Sequence, residues 1–137
     1  MTVIDFYTHV KTPVSVALRL VPKAYEQYHH VRVLTANEAM TDEMDKRLWT
    51  DIPTGFFPHC RLSHPHADQT PIVVDAALSH DGKTAVLINL RDDVPEFFSR
   101  FERLLEIVGD DEASLAKGRE RYAFYKERGY TLRVHRS

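Results

Sequence analysis

The densest chemistry in the chain lies in Pro58-His59-Cys60-Arg61-Leu62-Ser63-His64-Pro65-His66, followed by Asp68. Imidazoles, a thiol and a carboxylate are the ligands zinc and copper prefer, so a small metal-dependent enzyme built on the His59–His66 loop is one reading. The spacing matches no structural zinc pattern, and the prolines mark an irregular, exposed loop. Polar loop residues without a metal are the simpler reading, and no metal or other cofactor is expected. Cys60 and His59 do not form a dyad by adjacency, because neighbours on an extended chain point to opposite sides. Gly55, Gly82, Gly109, Gly118 and Gly129 stand singly, so neither a phosphate-cradling P-loop nor a dinucleotide fingerprint can be built. Asp92-Asp93 and Asp110-Asp111-Glu112 read as carboxylates that cap helix starts and complement the helix dipole. No catalytic apparatus emerges.

Two further constellations suit recognition. Leu48-Trp49 followed by Phe56-Phe57-Pro58-His59 gathers the only tryptophan and two adjacent phenylalanines where a helix gives way to a loop. Such aromatics either close the core or form an anchor pocket for a partner. In Arg119-Glu120-Arg121-Tyr122-Ala123-Phe124-Tyr125-Lys126, helical spacing puts Arg119, Tyr122 and Lys126 at i, i+3 and i+7. A ring between two cations can hold a carboxylate on the guanidinium while an apolar group packs on the ring. Tyr122 and Tyr125 can equally be core, and periodicity does not separate the two.

The elements that position these groups follow from the apolar pattern. Val3-Ile4-Asp5-Phe6-Tyr7 reads as a first strand. Thr12-Pro13 has the order of a helix start, with Val14, Ala17, Leu18 and Val21 at helical spacing. Pro22 should kink that helix or open a new turn. Val31–Thr35 is a second strand, and Asn37 caps a helix carrying Met40, Met44 and Leu48 on one stripe. A short strand is expected within Phe56–Leu62. Ile72–Val74 and Ala85–Ile88, separated by His80-Asp81-Gly82-Lys83, carry a hairpin signal, which makes Ile72–Leu90 an antiparallel portion. Pro95 should open an amphipathic helix with Phe97, Phe98, Phe101, Leu104, Leu105 and Val108, stopped by Gly109. A last helix runs from about Asp111 to Arg128, with a terminal strand at Tyr130–Val134. Alternating strands and helices give one α/β domain over residues 1–137, Rossmann-like and three-layered, with a mainly parallel central sheet and helices on both faces.

Composition bounds the function. At 137 residues, 43% hydrophobic and 28% charged, the chain has the balance of one soluble globular domain. No apolar run is long enough to span a membrane, the opening residues lack a signal peptide, and the single cysteine permits no intrachain disulfide. A cytoplasmic protein with no membrane contact is expected. The net charge of −2 hides an asymmetry: from Leu115 onward the chain carries about +5, on a body of about −7. A short basic end can attract an acidic partner or be a solvated helix face.

The sequence resembles the chi subunit family of bacterial DNA polymerase III. Phe6-Tyr7, Arg32-Val33-Leu34, Leu48-Trp49 with Phe56, Pro58 and His59, Leu87-Ile88-Asn89-Leu90-Arg91, Arg119-Glu120-Arg121-Tyr122, Tyr125 and Gly129-Tyr130 carry the likeness nearly end to end. The resemblance implies a non-catalytic adaptor of the clamp loader. It would bind the acidic, phenylalanine-terminated C-terminal tail of the single-stranded DNA-binding protein, and the psi subunit. The implied tail site is Val108, Lys117, Arg119, Tyr122 and Lys126; the implied psi patch is Leu48, Trp49, Phe56, Phe57, Pro58 and His59. A monomer or one-to-one heterodimer that meets DNA only indirectly is implied as well. Where members of the family carry a lysine straight after the motif tyrosine, this chain has Ala123, and His64–Asp68 lies outside the family pattern. Besides the metal-dependent enzyme, the remaining alternative is a direct nucleic-acid binder using the basic C-terminal helix; the acidic body opposes it.

Overall fold

A computed structural model of the chain describes residues 2–50, 59–60, 70–77 and 85–136, with the side chains of Trp49, His59 and Cys60 outside that description. Among the described residues seven strands form one sheet: β1 (Val3–Val10), β2 (Val31–Leu34), β3 (His59–Cys60), β4 (Ile72–Asp75), β5 (Val86–Asn89), β6 (Arg103–Gly109) and β7 (Thr131–Arg136). Their order is β3-β4-β2-β5-β6-β1-β7, and every pairing is parallel. Helices α1 (Pro13–Tyr28) and α2 (Glu38–Thr50) cover one face, and α3 (Glu112–Glu127) covers the other. The three-layer α/β arrangement expected from the alternation is present. None of the helices among the described residues is long and apolar enough to cross a membrane.

The helices begin and end where local chemistry dictates. Pro13 sits in the first turn of α1, where a missing N–H costs nothing. The helix runs on through Pro22 to Tyr28. Val14, Ala17, Leu18, Val21 and Ala24 keep one buried stripe on both sides of the proline. Their burial, at about 1.5–3 kcal/mol for each large side chain, outweighs the roughly 3 kcal/mol of an interior proline. Asn37 accepts from the Met40 N–H at 2.8 Å and caps α2, whose Met44 and Leu48 are buried. Asp111 accepts from the Ser114 N–H at 3.0 Å and caps α3. Gly129, at φ +83°, takes the left-handed turn that leads into β7.

Three expectations fail. Ile72–Leu90 is not an antiparallel pair: β4 and β5 lie on opposite sides of β2, both parallel to it. Both strands are buried along their whole length, as strands covered by helices on two faces must be. The helix expected after Pro95 is instead a 3-10 turn at Phe98–Arg100 followed by β6. Phe97, Phe98 and Phe101 do enter the core, but from the turn, under α3. Leu104 and Val108 face the α3 layer while Leu105 and Ile107 face the α1 layer, the two-residue alternation of a strand. Asp92-Asp93 caps no helix; Asp93 pairs with Arg91 at 2.9 Å, and that bond holds its carboxyl below the usual carboxylate range.

Candidate peptide-binding pocket

The inner face of α3 is polar where most buried helix faces are apolar. Its buried residues are Gly118, Arg121 and Tyr125. Glu106, fully buried on β6, accepts from Arg121 Nε at 3.2 Å, Asn89 Nδ2 at 2.8 Å and the Tyr125 hydroxyl at 2.5 Å. Arg121 also donates to the Asp92 carbonyl at 2.6 Å, and Asn89 to the Asp93 carbonyl at 3.1 Å. Burial pushes the Glu106 pKa up, and Arg121, then Tyr125 and Asn89, pull it back. Burial and the Glu106 charge together push the Tyr125 hydroxyl far up, so it stays a donor. This network fixes the rotation of α3 about its own axis, because only one setting points Arg121 and Tyr125 at Glu106.

That setting places Tyr122 and Arg119 beside the carboxyl ends of β1, β6 and β7. A cavity of about 260 Å³ opens there, lined by Phe6, Thr8, His9, Val108, Leu115, Gly118, Arg119, Tyr122 and Val134. Crevices at the carboxyl ends of parallel strands are where such sheets bind ligands. Val108 forms the buried floor, and the Phe6 ring meets Tyr122 edge-on at 5.5 Å. Val134, 54% exposed, adds an apolar rim. The wall bends at His9, whose φ of 58° accompanies a register break between Tyr7 and Val10 against β6. Arg119 is exposed and has no ion-pair partner among the described residues.

Gly118 makes this geometry. A Cβ there would lie 2.8 Å from Val108 Cγ1, so only glycine lets α3 sit this close to β6. Gly118→Val should cost about 1–3 kcal/mol by overpacking, more than the few tenths valine gains over glycine as a helix former. A lowered melting temperature, with the pocket pushed open and ligand affinity reduced, is the expected result; an unchanged melting temperature would contradict the close contact.

Of the residues the sequence nominated, Val108, Arg119 and Tyr122 come together in the cavity. Lys117 does not line it: it pairs with Glu120 at 3.8 Å and borders a separate depression with Asp92 and Asp93. Lys126 is exposed on the last turn of α3, outside the lining. Sequence reasoning does not find Phe6, Leu115, Gly118 or Val134. Phe6 and Val134 lie far apart in the chain and meet only as register partners on β1 and β7. Of the aromatic patch, Leu48 is buried in the core, and Phe56, Phe57, Pro58 and the side chains of Trp49 and His59 lie outside the described residues. The His64–His66 part of the metal-ligand reading lies outside them too, and no metal-holding group of His, Cys, Asp and Glu occurs among the described residues.

The family model "DNA polymerase III chi subunit, HolC" matches residues 1–133. The chain belongs to the DNA polymerase III chi subunit family. A DNA polymerase III subunit chi from Pseudomonas aeruginosa is 34% identical over 99% of this chain and 97% of its own length. One from Haemophilus influenzae is 28% identical over 85% of this chain and 82% of its own. Membership makes the chain a replication accessory protein of that polymerase. Within this chi-family chain, Arg121 and Tyr125 of the Arg-Glu-Arg-Tyr…Tyr stretch are core, whereas Arg119 and Tyr122 are pocket.

Proposed function

We propose that the chain is a non-catalytic adaptor that receives the acidic, phenylalanine-terminated C-terminal tail of the single-stranded DNA-binding protein in the Val108–Tyr122 pocket, and connects it through psi to the clamp loader. The observation that carries this reading is the apolar cavity with the Arg119 guanidinium, unpaired among the described residues, at its edge. A terminal phenylalanine brings a ring for Val108, Phe6 and Tyr122 and a carboxylate for Arg119. A guanidinium can hold that carboxylate through two parallel hydrogen bonds, which a lysine cannot. Aspartates preceding the ring would meet Lys126 through solvent and contribute less per residue, and Lys117 less again because Glu120 already faces it. The test is recovery of the single-stranded DNA-binding protein from source-cell lysate by immobilised chain. Recovery of the intact protein but not of a form lacking its last residues supports the reading; equal recovery of both refutes it.

The proposed psi surface is formed or bordered by Leu48, Trp49, Phe56, Phe57, Pro58 and His59, of which the Leu48 side chain is buried in the core. Aromatic anchors of this kind are commonly worth about 2 kcal/mol or more. Phe56→Ala should weaken psi binding while leaving the melting temperature nearly unchanged. A large fall in melting temperature instead would place that ring in the core.

A further inference from the structure

On the sheet face opposite α3, a second cavity of about 270 Å³ opens between β1, α1 and β7, lined by Tyr7, Val10, Val16, Leu20, Arg19, Lys23, His135 and Arg136. Its character is the reverse of the peptide pocket. Arg19 and Lys23 lie one turn apart on α1 and are exposed, and Arg136 projects from the end of the edge strand. None of these three has an ion-pair partner among the described residues. The nearby carboxylate, Asp5, is buried and already engaged by Arg103, by Arg133 at 3.0 Å and by His135 at 3.2 Å. It therefore neutralises groups other than Arg19, Lys23 and Arg136. Beside these cations the His135 imidazole stacks on the Tyr7 ring, with centroids 4.7 Å apart and planes 16° from parallel. Tyr7 and His135 are register partners on β1 and β7, so the sheet itself holds the stack, and the His135 side chain remains 50% exposed.

We infer that this cavity is a single-stranded nucleic-acid site, in which a backbone phosphate sits among Arg19, Lys23 and Arg136 and a neighbouring base extends the Tyr7–His135 stack. Flat rings beside a cluster of uncommitted cations are the two elements by which proteins hold single strands without reading sequence. An acidic peptide would use the cations and leave the ring pair idle. The cavity is smaller than the roughly 300–1,000 Å³ of drug-sized ligand sites, which suits a phosphate and part of its sugar rather than a whole cofactor. The acidic body elsewhere confines binding to this spot and keeps it weak. The site is separate from the basic face of α3 and does not depend on the tail-binding reading.

The experiment is fluorescence anisotropy of a labelled oligothymidylate with the full chain at low salt, across a salt series. Arg19→Ala with Lys23→Ala should lower affinity tenfold or more and flatten the dependence of log affinity on log salt by about 0.7 for each phosphate that goes unneutralised. His135→Ala should lower it roughly fivefold, the weak end of what one stacked base supplies. Both variants change exposed side chains, and unchanged melting temperatures confirm folding. Polyglutamate should bind far more weakly than the oligonucleotide. The inference is overturned by no oligonucleotide binding at low salt, by equal binding of polyglutamate, or by loss of binding on Arg119→Ala and Lys126→Ala but not on Arg19→Ala with Lys23→Ala.

Discussion

Replacing Arg121 with alanine is expected to destabilise the fold by about 3–5 kcal/mol, because it leaves the Glu106 carboxylate buried without its cation. For a domain of this size that is a fall in melting temperature on the order of 10–20 °C. The loss should depend on Glu106 being charged. Burial raises the Glu106 pKa and Arg121 opposes the rise, so removing Arg121 lets the carboxyl hold its proton to higher pH. A carboxyl whose folded pKa is raised stabilises below its ordinary value of 4.5 and loses that contribution as pH rises through the folded value. The deficit of Arg121→Ala is therefore smallest in acid and largest at neutral pH. In a Glu106→Gln background the same change should cost markedly less, since no buried charge is left behind. Thermal melts of the parent chain, both single variants and the double variant over a pH series check this. A deficit that stays the same at every pH, or in both backgrounds, would mean that Arg121 acts only through packing and its bond to the Asp92 carbonyl.

Arg119→Ala should leave the melting temperature alone and weaken binding of the acidic tail about tenfold or more. A charge-assisted hydrogen bond is worth roughly 1.5–3 kcal/mol, and 1.4 kcal/mol is a factor of ten. Removing the final phenylalanine of the tail should cost at least as much, because in the proposed complex that ring would supply the apolar area facing Val108 in the cavity. Salt should separate the two contributions. The attraction of Lys126 for upstream aspartates is screened, while the buried ring is not, so binding should weaken with salt without disappearing.

Much of the fold is legible in the sequence because caps and breakers are local signals. Thr12-Pro13, Asn37, Asp111 and Gly129 each mark a helix boundary that the structure keeps. The rest depends on partners far away in the chain. Phe97, Phe98, Phe101, Leu104, Leu105 and Val108 satisfy a helical period by coincidence; a strand buried on both faces has no polar alternation to announce itself. Asp81-Gly82 suggests a hairpin wherever two β-rich runs flank it, but β2 lies between those runs in the sheet, and no local pattern reports that. The Arg119–Tyr122 pair follows from spacing and family resemblance. Its neighbour Arg121 is core because of Glu106, a lone acid inside the run Leu104-Leu105-Glu106-Ile107-Val108. An acid in such a run calls for a buried cation, and that is the clue the sequence offers.

The role of Arg119 is decided by isothermal titration of the chain with an acidic peptide ending in phenylalanine, compared with the same peptide amidated at its C-terminus. The pocket predicts one site, affinity reduced about tenfold or more by amidation, and no further loss on amidation once Arg119 is alanine, because both changes remove the same bond. Equal affinity for the free and amidated peptides, or an undiminished effect of amidation in Arg119→Ala, would contradict the assignment of Arg119 to the terminal carboxylate.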